Sequence, residues 1–453
     1  MTATGGMLGP VTFFPNAAVP IQPYAIAPWA EECIPPGTPP MLVTLRGDWF
    51  CSAFGENAEP HAGRQLPPHG ETANGRWRGI ARDETNAGCW LHLGIELPLQ
   101  GGRCEAMTAL VTDHSVVYQR HDLQGLTGPI NPGHHATLAF PDIEGAGRLS
   151  FSRLVQARTY VEPTARPENR GYSWLKPDVE ITDLRAVPCI DGSTTDLSRY
   201  PARRGFEDVA ILCTDSTVAL GWSAVTYPEQ GFVWFALRDP QQLASTLLWF
   251  SNGGRHFPPW NGRHVNVLGV EDITGFFHVG LAASCRPNLL SERGIPTCLA
   301  PDAEGRLSIS YIQGVARVPA AFDRVAASHG ALLVETPDVN AESTLDAVRV
   351  LDPELVFVVG WSQLVREPFI ALAREGVFGM HPTLLPRHRG RAPIPWAILS
   401  GLARAQLNFP RMEQTSRIAC SGIDGSTQTV YVGHAGAEAP PFPEDVLSLP
   451  TID

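Results

Sequence analysis

A glutamate and a histidine doublet are the residues of this sequence best suited to proton transfer. Glu271 directly follows the apolar run VNVLGV, and His134 and His135 directly precede the apolar run ATLAF. Carboxylate and imidazole groups both exchange protons near neutral pH, which suits them to general acid–base catalysis. A carboxylate at the end of an apolar strand lies beside a core and needs a partner. Because successive strand residues face opposite sides, only one of the two histidines can share a cleft with Glu271.

The segments around these residues resemble, in their order along the chain, the aldose 1-epimerase or galactose mutarotase superfamily. The resemblance covers most of the first 325 residues and rests on RGDWFCSAFG (46–55), PPHGETANGRW (67–77), NPGHHATLAF (131–140), SNGGRHFPPWNGRH (251–264) and LGVEDITGFFHVG (268–280). It implies a galactose-mutarotase-like β-supersandwich that opens and recloses an aldose ring at the anomeric carbon. On the family pattern, Glu271 is the base that takes the O1 proton. His135 is the acid that protonates the ring oxygen, with His134 as the competing assignment.

The same resemblance implies a set of sugar contacts around this pair. His69, in the PHG motif, would hold sugar hydroxyls, and planar polar groups or an aromatic face would be supplied by Arg46, Asp48, Trp260 and Arg263. For Arg46 and Asp48, a buried ion pair that fixes a turn is an equal alternative. The expected partner is a small-molecule sugar, with no cofactor and no metal. Sandwiches of this family also occur as non-catalytic carbohydrate-binding modules, so binding without turnover is the alternative function.

A second motif, GVFGMHPTLLPRHRGRAPIPWAI (376–398), resembles the folate-dependent formyltransferases, which include the methionyl-tRNA and glycinamide ribonucleotide enzymes. His381 matches the catalytic histidine of the family signature Asn-x-His-x-Ser-Leu-Leu-Pro, and Arg389 and Gly390 lie in the same motif. The resemblance implies 10-formyltetrahydrofolate as a cofactor only if this segment is active. Gly379 occupies the position of the family's asparagine, and QLNFPRMEQTSR holds no match to the downstream catalytic aspartate. A degenerate relic is therefore the alternative.

Strand-like patterns dominate the elements that must position these residues. From about residue 40 to 325, short apolar runs alternate with turn clusters, which predicts a mainly β fold built as a large antiparallel sandwich. Beyond about residue 326, the strand-like ELVFVVGW and VFGM flank the helix-like PFIALAREG, which predicts βα alternation with a parallel sheet. RIACSGIDGSTQTVYVGHAG then indicates two sandwich-like strands around a turn. We predict a sandwich over 1–326, an inserted partial formyltransferase-like α/β segment over 327–416, and C-terminal sandwich strands over 417–453.

Composition and charge exclude several classes of partner. Thirty-four basic and 46 acidic residues give a net charge of -12, which repels nucleic acids and anionic membranes. The nine cysteines are scattered singly without a CxxC pair, as expected for reduced thiols. No basic N-terminal region leads into an apolar stretch, so we expect a cytoplasmic protein. The inserted segment is too short to cover both faces of its own sheet, so packing on the sandwich or in a homo-oligomer is expected.

Overall fold

The computed structural model divides the chain into two compact units, Met1–Gly330 and Ala331–Asp453. It describes residues 1–318 apart from 113 and 219, together with shorter stretches of the rest of the chain. These stretches are 322–325, 338–351, 353, 355–358, 365–374, 376–379, 381–382, 407–408, 417–421 and 427–431.

Two large antiparallel sheets form the first unit. Its strands are β1 (Phe50–Cys51), β2 (Arg78–Thr85), β3 (Gly88–Glu96), β4 (Arg103–Val111), β5 (Val116–Gln124), β6 (Gly133–Ala139), β7 (Gly147–Phe151), β8 (Leu154–Thr159), β9 (Val187–Pro188), β10 (Thr194–Thr195), β11 (Arg199–Tyr200), β12 (Glu207–Thr214), β13 (Gly221–Tyr227), β14 (Phe232–Arg238), β15 (Ser245–Ser251), β16 (Val267–Ile273) and β17 (Leu307–Arg317). The six-stranded sheet has the order β1-β6-β16-β15-β12-β8, and the nine-stranded sheet has the order β11-β7-β13-β14-β17-β5-β4-β3-β2. The short strands β9 and β10 pair with each other. The predicted mainly β sandwich is confirmed.

Helices in this unit are short. They are α1 (Pro40–Val43), α2 (Gly70–Asn74) and α3 (Leu281–Ser284), with single 3-10 turns at Pro167–Asn169, Pro228–Gln230 and Ser291–Arg293.

The main core lies between the two sheets, because strand residues alternate between the inner and outer faces. In β16, Leu268 and Val270 join this core, whereas the intervening Gly269 and Glu271 face outward. Both sheets contribute buried side chains to the core, among them Leu93, Val117, Leu138, Leu212, Val225, Trp234, Leu248, Leu268, Val270 and Ile309. Because of this alternation, the Glu271 side chain lies on the outer face of the sheet, whereas the next residue, Asp272, faces the core between the sheets.

A second apolar cluster covers the outer face of the six-stranded sheet. Leu247 and Trp249 of β15 contribute from the sheet. Loops and N-terminal segments contribute the covering side chains, which include Met7, Trp29, Met41, Leu45, Trp49, Phe54, Trp260, Phe277 and Leu290. The outward-facing residues of this sheet are therefore buried beneath a layer of loops.

The second unit contains α4 (Glu342–Leu351), α5 (Glu367–Ile370), β18 (Leu355–Val358), β19 (Gly376–Gly379), β20 (His381–Pro382), β21 (Leu407–Asn408), β22 (Arg417–Ser421) and β23 (Thr427–Tyr431). Strands β18 and β19 are parallel, with Phe357 opposite Phe378, which confirms the predicted parallel pairing. The helix predicted from PFIALAREG (368–376) is shorter. It ends at Ile370, because the chain then turns and Arg374 N donates to Pro353 O before β19 begins.

The C-terminal strands β22 and β23 form an antiparallel hairpin with each other. They belong to the second compact unit. The assignment of 417–453 to the sandwich, and of 327–416 as an insertion within it, stays a prediction.

Candidate active site

The register of β6 and β16 places His135 directly opposite Glu271 on the outer face of the six-stranded sheet. Nε2 of His135 lies 3.3 Å from Oε1 of Glu271, and the two residues are only 4% and 1% exposed. This contact has the distance of an ion pair, although no described residue makes a geometrically good hydrogen bond to Oε1. The predicted acid–base pair is thus brought together, and the sheet itself sets its spacing.

Gly269 provides the space in which the Glu271 carboxyl lies. A Cβ atom at this position would stand 2.2 Å from Glu271 Oε1 and 3.0 Å from the Cβ of Trp249. Such approaches are well inside van der Waals contact. The glycine of the LGVEDITG segment is therefore part of the site.

Aromatic rings surround the imidazole of His135. The indole of Trp49 stacks on it with a 4.0 Å centroid separation and an 18° interplanar angle. His69 meets it edge-on at 5.0 Å, and Trp249 does so at 5.7 Å. Pairing of β1 with β6 holds Trp49 in this position, because His135 N donates to Trp49 O just before β1 begins.

Burial favours the uncharged forms of these groups. It raises the pKa of Glu271 well above its ordinary value, against a lowering effect of the Arg255 guanidinium. Burial also lowers the pKa of His135 well below its usual range, with a further contribution from His69. For the same main reason the pKa of His69 falls to about 3 and that of His278 to about 4.

Arg255 is a cation beside the pair that sequence reasoning missed. Its guanidinium packs 4.7 Å from the Trp260 ring and 5.3 Å from the Trp249 ring, within the range of cation–π attraction. Nε lies 3.7 Å from Glu207 Oε2, and the Arg255 side chain is 23% exposed. Arg255 lies in SNGGRHFPPWNGRH, and this position could have indicated it as a site residue. Only Trp260 and Arg263 were selected from that segment.

Glu207 forms a buried polar cluster next to the same indole. It accepts hydrogen bonds from Trp249 Nε1 and Ser251 Oγ, each at 2.8 Å, and Ser251 Oγ also lies 2.7 Å from His264 Nδ1. Burial raises the pKa of Glu207 to about 7, with Arg255 and the two hydrogen bonds acting in the opposite direction. Burial also lowers the pKa of His264 to about 3.

Of the other residues predicted for the sandwich site, His69 contacts His135 directly, and Trp260 is one ring removed from it. The Trp260 ring lies 5.8 Å from that of Trp249. Arg263 instead pairs with Glu32 at the surface. The Arg46 Nε atom donates to the Thr44 carbonyl, and within the described part of the chain no hydrogen bond or ion pair joins Arg46 to Glu271 or His135.

His134 and Asp48 lie on the other side of the sheet, between the two layers. His134 Nδ1 is 2.9 Å from Asp48 Oδ2, and Gln313 Nε2 donates to the same oxygen at 2.7 Å. Neighbouring Asp272 receives Arg238 NH1 at 2.8 Å and the Tyr311 hydroxyl at 2.9 Å. The expected split of the histidine doublet is thus observed: His135 faces the outer cluster and His134 the inner one.

In the second unit, Gly379 ends β19, and His381 pairs its backbone with Asn408. Arg389 and Gly390 lie outside the described residues. His381 therefore lies two residues beyond the end of β19.

Comparison with known proteins places a formyl transferase match in the C-terminal part. The formyl transferase family model matches residues 315–405, which confirms the resemblance of the 376–398 motif. Methionyl-tRNA formyltransferase of Geobacter metallireducens is 30% identical over 101 residues, covering 22% of this chain and 32% of that protein. The enzyme of Trichlorobacter lovleyi is 30% identical over 83 residues, covering 18% and 26%. The chain thus spans about a third or less of the length of these relatives.

Solved structures similar to this chain include two galactose mutarotase-like proteins. The protein from Clostridium acetobutylicum is 9% identical with a TM-score of 0.40, covering 64% of this chain and 82% of that one. The protein from Lactobacillus casei is 10% identical with a TM-score of 0.39, covering 60% and 86%.

Within the described part of the chain, no helix has the length and apolar character needed to cross a bilayer. Among those same residues, no three His, Cys, Asp or Glu side chains converge as a metal site would require. The outer-face cluster offers proton-exchanging side chains, flat aromatic surfaces and the guanidinium of Arg255.

Proposed function

We propose that the first unit binds an aldose and interconverts its anomers, with Glu271 and His135 as the acid–base pair. The observation that carries the proposal is the β6–β16 register, which sets carboxyl and imidazole 3.3 Å apart on one face. Ring opening needs one group that accepts the O1 proton and another that protonates the ring oxygen. Two adjacent proton-exchanging groups supply both functions.

Burial leaves this pair with one shared proton. In the uncharged arrangement the proton is on the Glu271 carboxyl, and moving it to His135 gives carboxylate and imidazolium. In either arrangement one partner gives a proton to the ring oxygen while the other accepts the proton of O1. The bond from C1 to the ring oxygen breaks, an open-chain aldehyde forms, and reclosure on the opposite face returns both protons. The assignment of Glu271 as base and His135 as acid stays a prediction.

A sugar reaches the pair only after covering side chains move, because both residues are almost fully buried. The partly exposed groups nearby are His69, Arg255 and His278. Their displacement by a sugar belongs to the proposal, as does stacking of the sugar ring on an indole such as Trp49 or Trp249.

The test is anomer exchange, followed by NMR or polarimetry on a panel of freshly dissolved aldoses. The wild-type protein should accelerate exchange of at least one sugar, and Glu271→Gln should reduce the catalysed rate by about 10²–10⁴-fold. Glu229→Gln, at an exposed glutamate, is the matched control and should leave the rate unchanged. No acceleration by the wild-type protein across the panel would contradict the proposal.

A carbohydrate-binding module without turnover is the second candidate. It is favoured by the near-complete burial of Glu271 and His135. If Glu271 and His135 never contact the sugar, they serve only as a buried structural pair. Calorimetry with the same panel separates the candidates. Heat of sugar binding without any acceleration of anomer exchange would establish the module.

Formyl transfer is a third candidate, favoured by the family match over 315–405. The family's asparagine position is Gly379, which has no side chain to stabilise an oxyanion, so we expect no turnover of 10-formyltetrahydrofolate. The consumption of this cofactor in the presence of candidate amines is the measurement. Turnover that disappears in His381→Ala would establish formyl transfer instead.

A further inference from the structure

A buried thiol contacts the imidazole that lies next to the acid–base pair. Cys51 of β1 is fully buried, and its Sγ lies 3.6 Å from Nδ1 of His69, a hydrogen-bond distance for sulfur. The ring of His69 in turn meets that of His135 edge-on, with 5.0 Å between the centroids. Cys51 is therefore one side chain removed from His135.

The backbone brings the thiol and the imidazole together independently of their contact. His69 has a left-handed φ of 58° just before α2, and its N–H donates to Gly55 O at 2.6 Å. The next residue, Gly70, forms a parallel bridge with Ser52, and a Cβ atom at this glycine would overlap the Ser52 carbonyl oxygen. Glycine is the residue that permits so close an approach of two backbones. The turn that carries His69 is thus fixed against the end of β1.

Protonation states decide which atom donates in this contact. Burial raises the pKa of the Cys51 thiol well above its ordinary value, so the sulfur keeps its proton. Burial lowers the pKa of His69 to about 3, so its imidazole is neutral and carries a proton on one nitrogen only. A thiol sulfur is a weak acceptor, whereas the bare nitrogen of a neutral imidazole is a good one. The favoured direction is therefore from the S–H to Nδ1.

We infer that Cys51 is a positioning residue whose thiol donates to Nδ1 of His69 and fixes this ring as the Nε2–H tautomer. The proton on Nε2 is directed away from the thiol, where it can donate to an oxygen of a bound sugar. Among the residues that the structure describes, none forms a hydrogen bond with Nε2 of His69, and this residue is partly exposed. The donor role rests on the proposed function, whereas the tautomer is a property of the free protein.

The first test is long-range proton–nitrogen NMR of the imidazole side chains in the free, full-length protein. The wild-type His69 ring should carry its proton on Nε2. In Cys51→Ala the Nδ1 resonance should move toward the position of an unbonded imidazole nitrogen, because its donor is lost. Cys104→Ala, at another fully buried cysteine, is the matched control and should leave the resonance in place. A proton on Nδ1 in the wild-type protein, or an Nδ1 resonance unaffected by Cys51→Ala, would overturn the inference.

The second test separates positioning from stability, with glucose and galactose as the probes of anomer exchange. Cys51→Ala should raise KM about fivefold, as expected for one neutral hydrogen bond, and should change kcat by less than about twofold. Cys51→Ser keeps a donor at this position and should restore part of the sugar affinity, whereas Cys104→Ala should match wild type. A loss in kcat alone would overturn the inference. Failure of the wild-type protein to accelerate exchange of either sugar would count against the proposed function instead, and the NMR measurement would still decide the tautomer.

Discussion

Replacement of Glu207 by glutamine tests the electrostatics of the outer-face cluster. The Glu207 carboxyl is fully buried, and burial raises its pKa from 4.5 to about 7. An acid whose pKa is higher in the folded state contributes stability that is present below pH 4.5 and is lost as the pH rises toward 7. The raised pKa corresponds to about 3 kcal/mol lost over that window. Glu207→Gln cannot ionise, so it should not show this loss.

The assay is urea unfolding of both proteins at several pH values between 4.5 and 8, followed by tryptophan fluorescence. Glutamine retains one acceptor for Trp249 or Ser251, so a pH-independent cost of about 1 kcal/mol from the other hydrogen bond is expected. On top of this offset, the variant should gain about 3 kcal/mol relative to wild type between pH 4.5 and 7.5. The exposed Glu229→Gln is the control and should give a flat difference. A flat difference for Glu207→Gln as well would refute the reasoning.

Three further predictions follow from neighbouring residues. Gly269→Ala should abolish the anomer exchange of a folded protein, because the added Cβ would displace the Glu271 carboxyl; exchange rates and circular dichroism check this. Arg255→Leu should shift the rise of the pH–rate profile to higher pH, since the guanidinium lowers the pKa of Glu271; a profile unchanged in position would count against it. Asp272→Asn should lower the free energy of unfolding by about 3–5 kcal/mol, because Arg238 loses its buried counter-charge; urea unfolding that matches wild type would contradict this.

The family resemblance assigned Glu271 and His135 as the acid–base pair, and strand periodicity added only that one of the two histidines shares a face with Glu271. The carboxylate after VNVLGV and the doublet before ATLAF both follow the two-residue repeat of a strand, so one histidine had to share a face with Glu271. The pairing of β6 with β16 joins residues far apart in sequence, and only that register selects His135. The burial of Glu271 and His135 under the loops that carry Trp49 and Trp260 depends on tertiary packing, so it could not be predicted from a local sequence pattern.

Motif membership did not determine side-chain direction. Asp48 lies in RGDWF and was expected near the sugar, yet its carboxylate points between the sheets toward His134 and Gln313. Arg263 was also expected at the site and pairs with Glu32 instead. Arg255, eight residues earlier in the same motif, is the arginine beside the pair. A motif fixes which segment is near a site, whereas the side-chain direction depends on the local backbone.

In the second unit, the continuous apolar composition of ELVFVV and VFG was a sufficient signal for parallel strands. The end of α5 was not predictable from sequence, because it depends on the Arg374 to Pro353 backbone contact. That contact joins residues between which both β18 and α5 lie in the sequence.

The most direct test of the central claim is a double-mutant cycle on the rate of anomer exchange. Glu271→Gln, His135→Gln and the double variant would be compared with wild type on an aldose that the wild-type protein turns over. Groups that act as one proton-transfer unit should each cost nearly as much alone as together, so the double variant should be no slower than either single variant. Losses that multiply in the double variant would show that the two residues act independently, which would contradict the account.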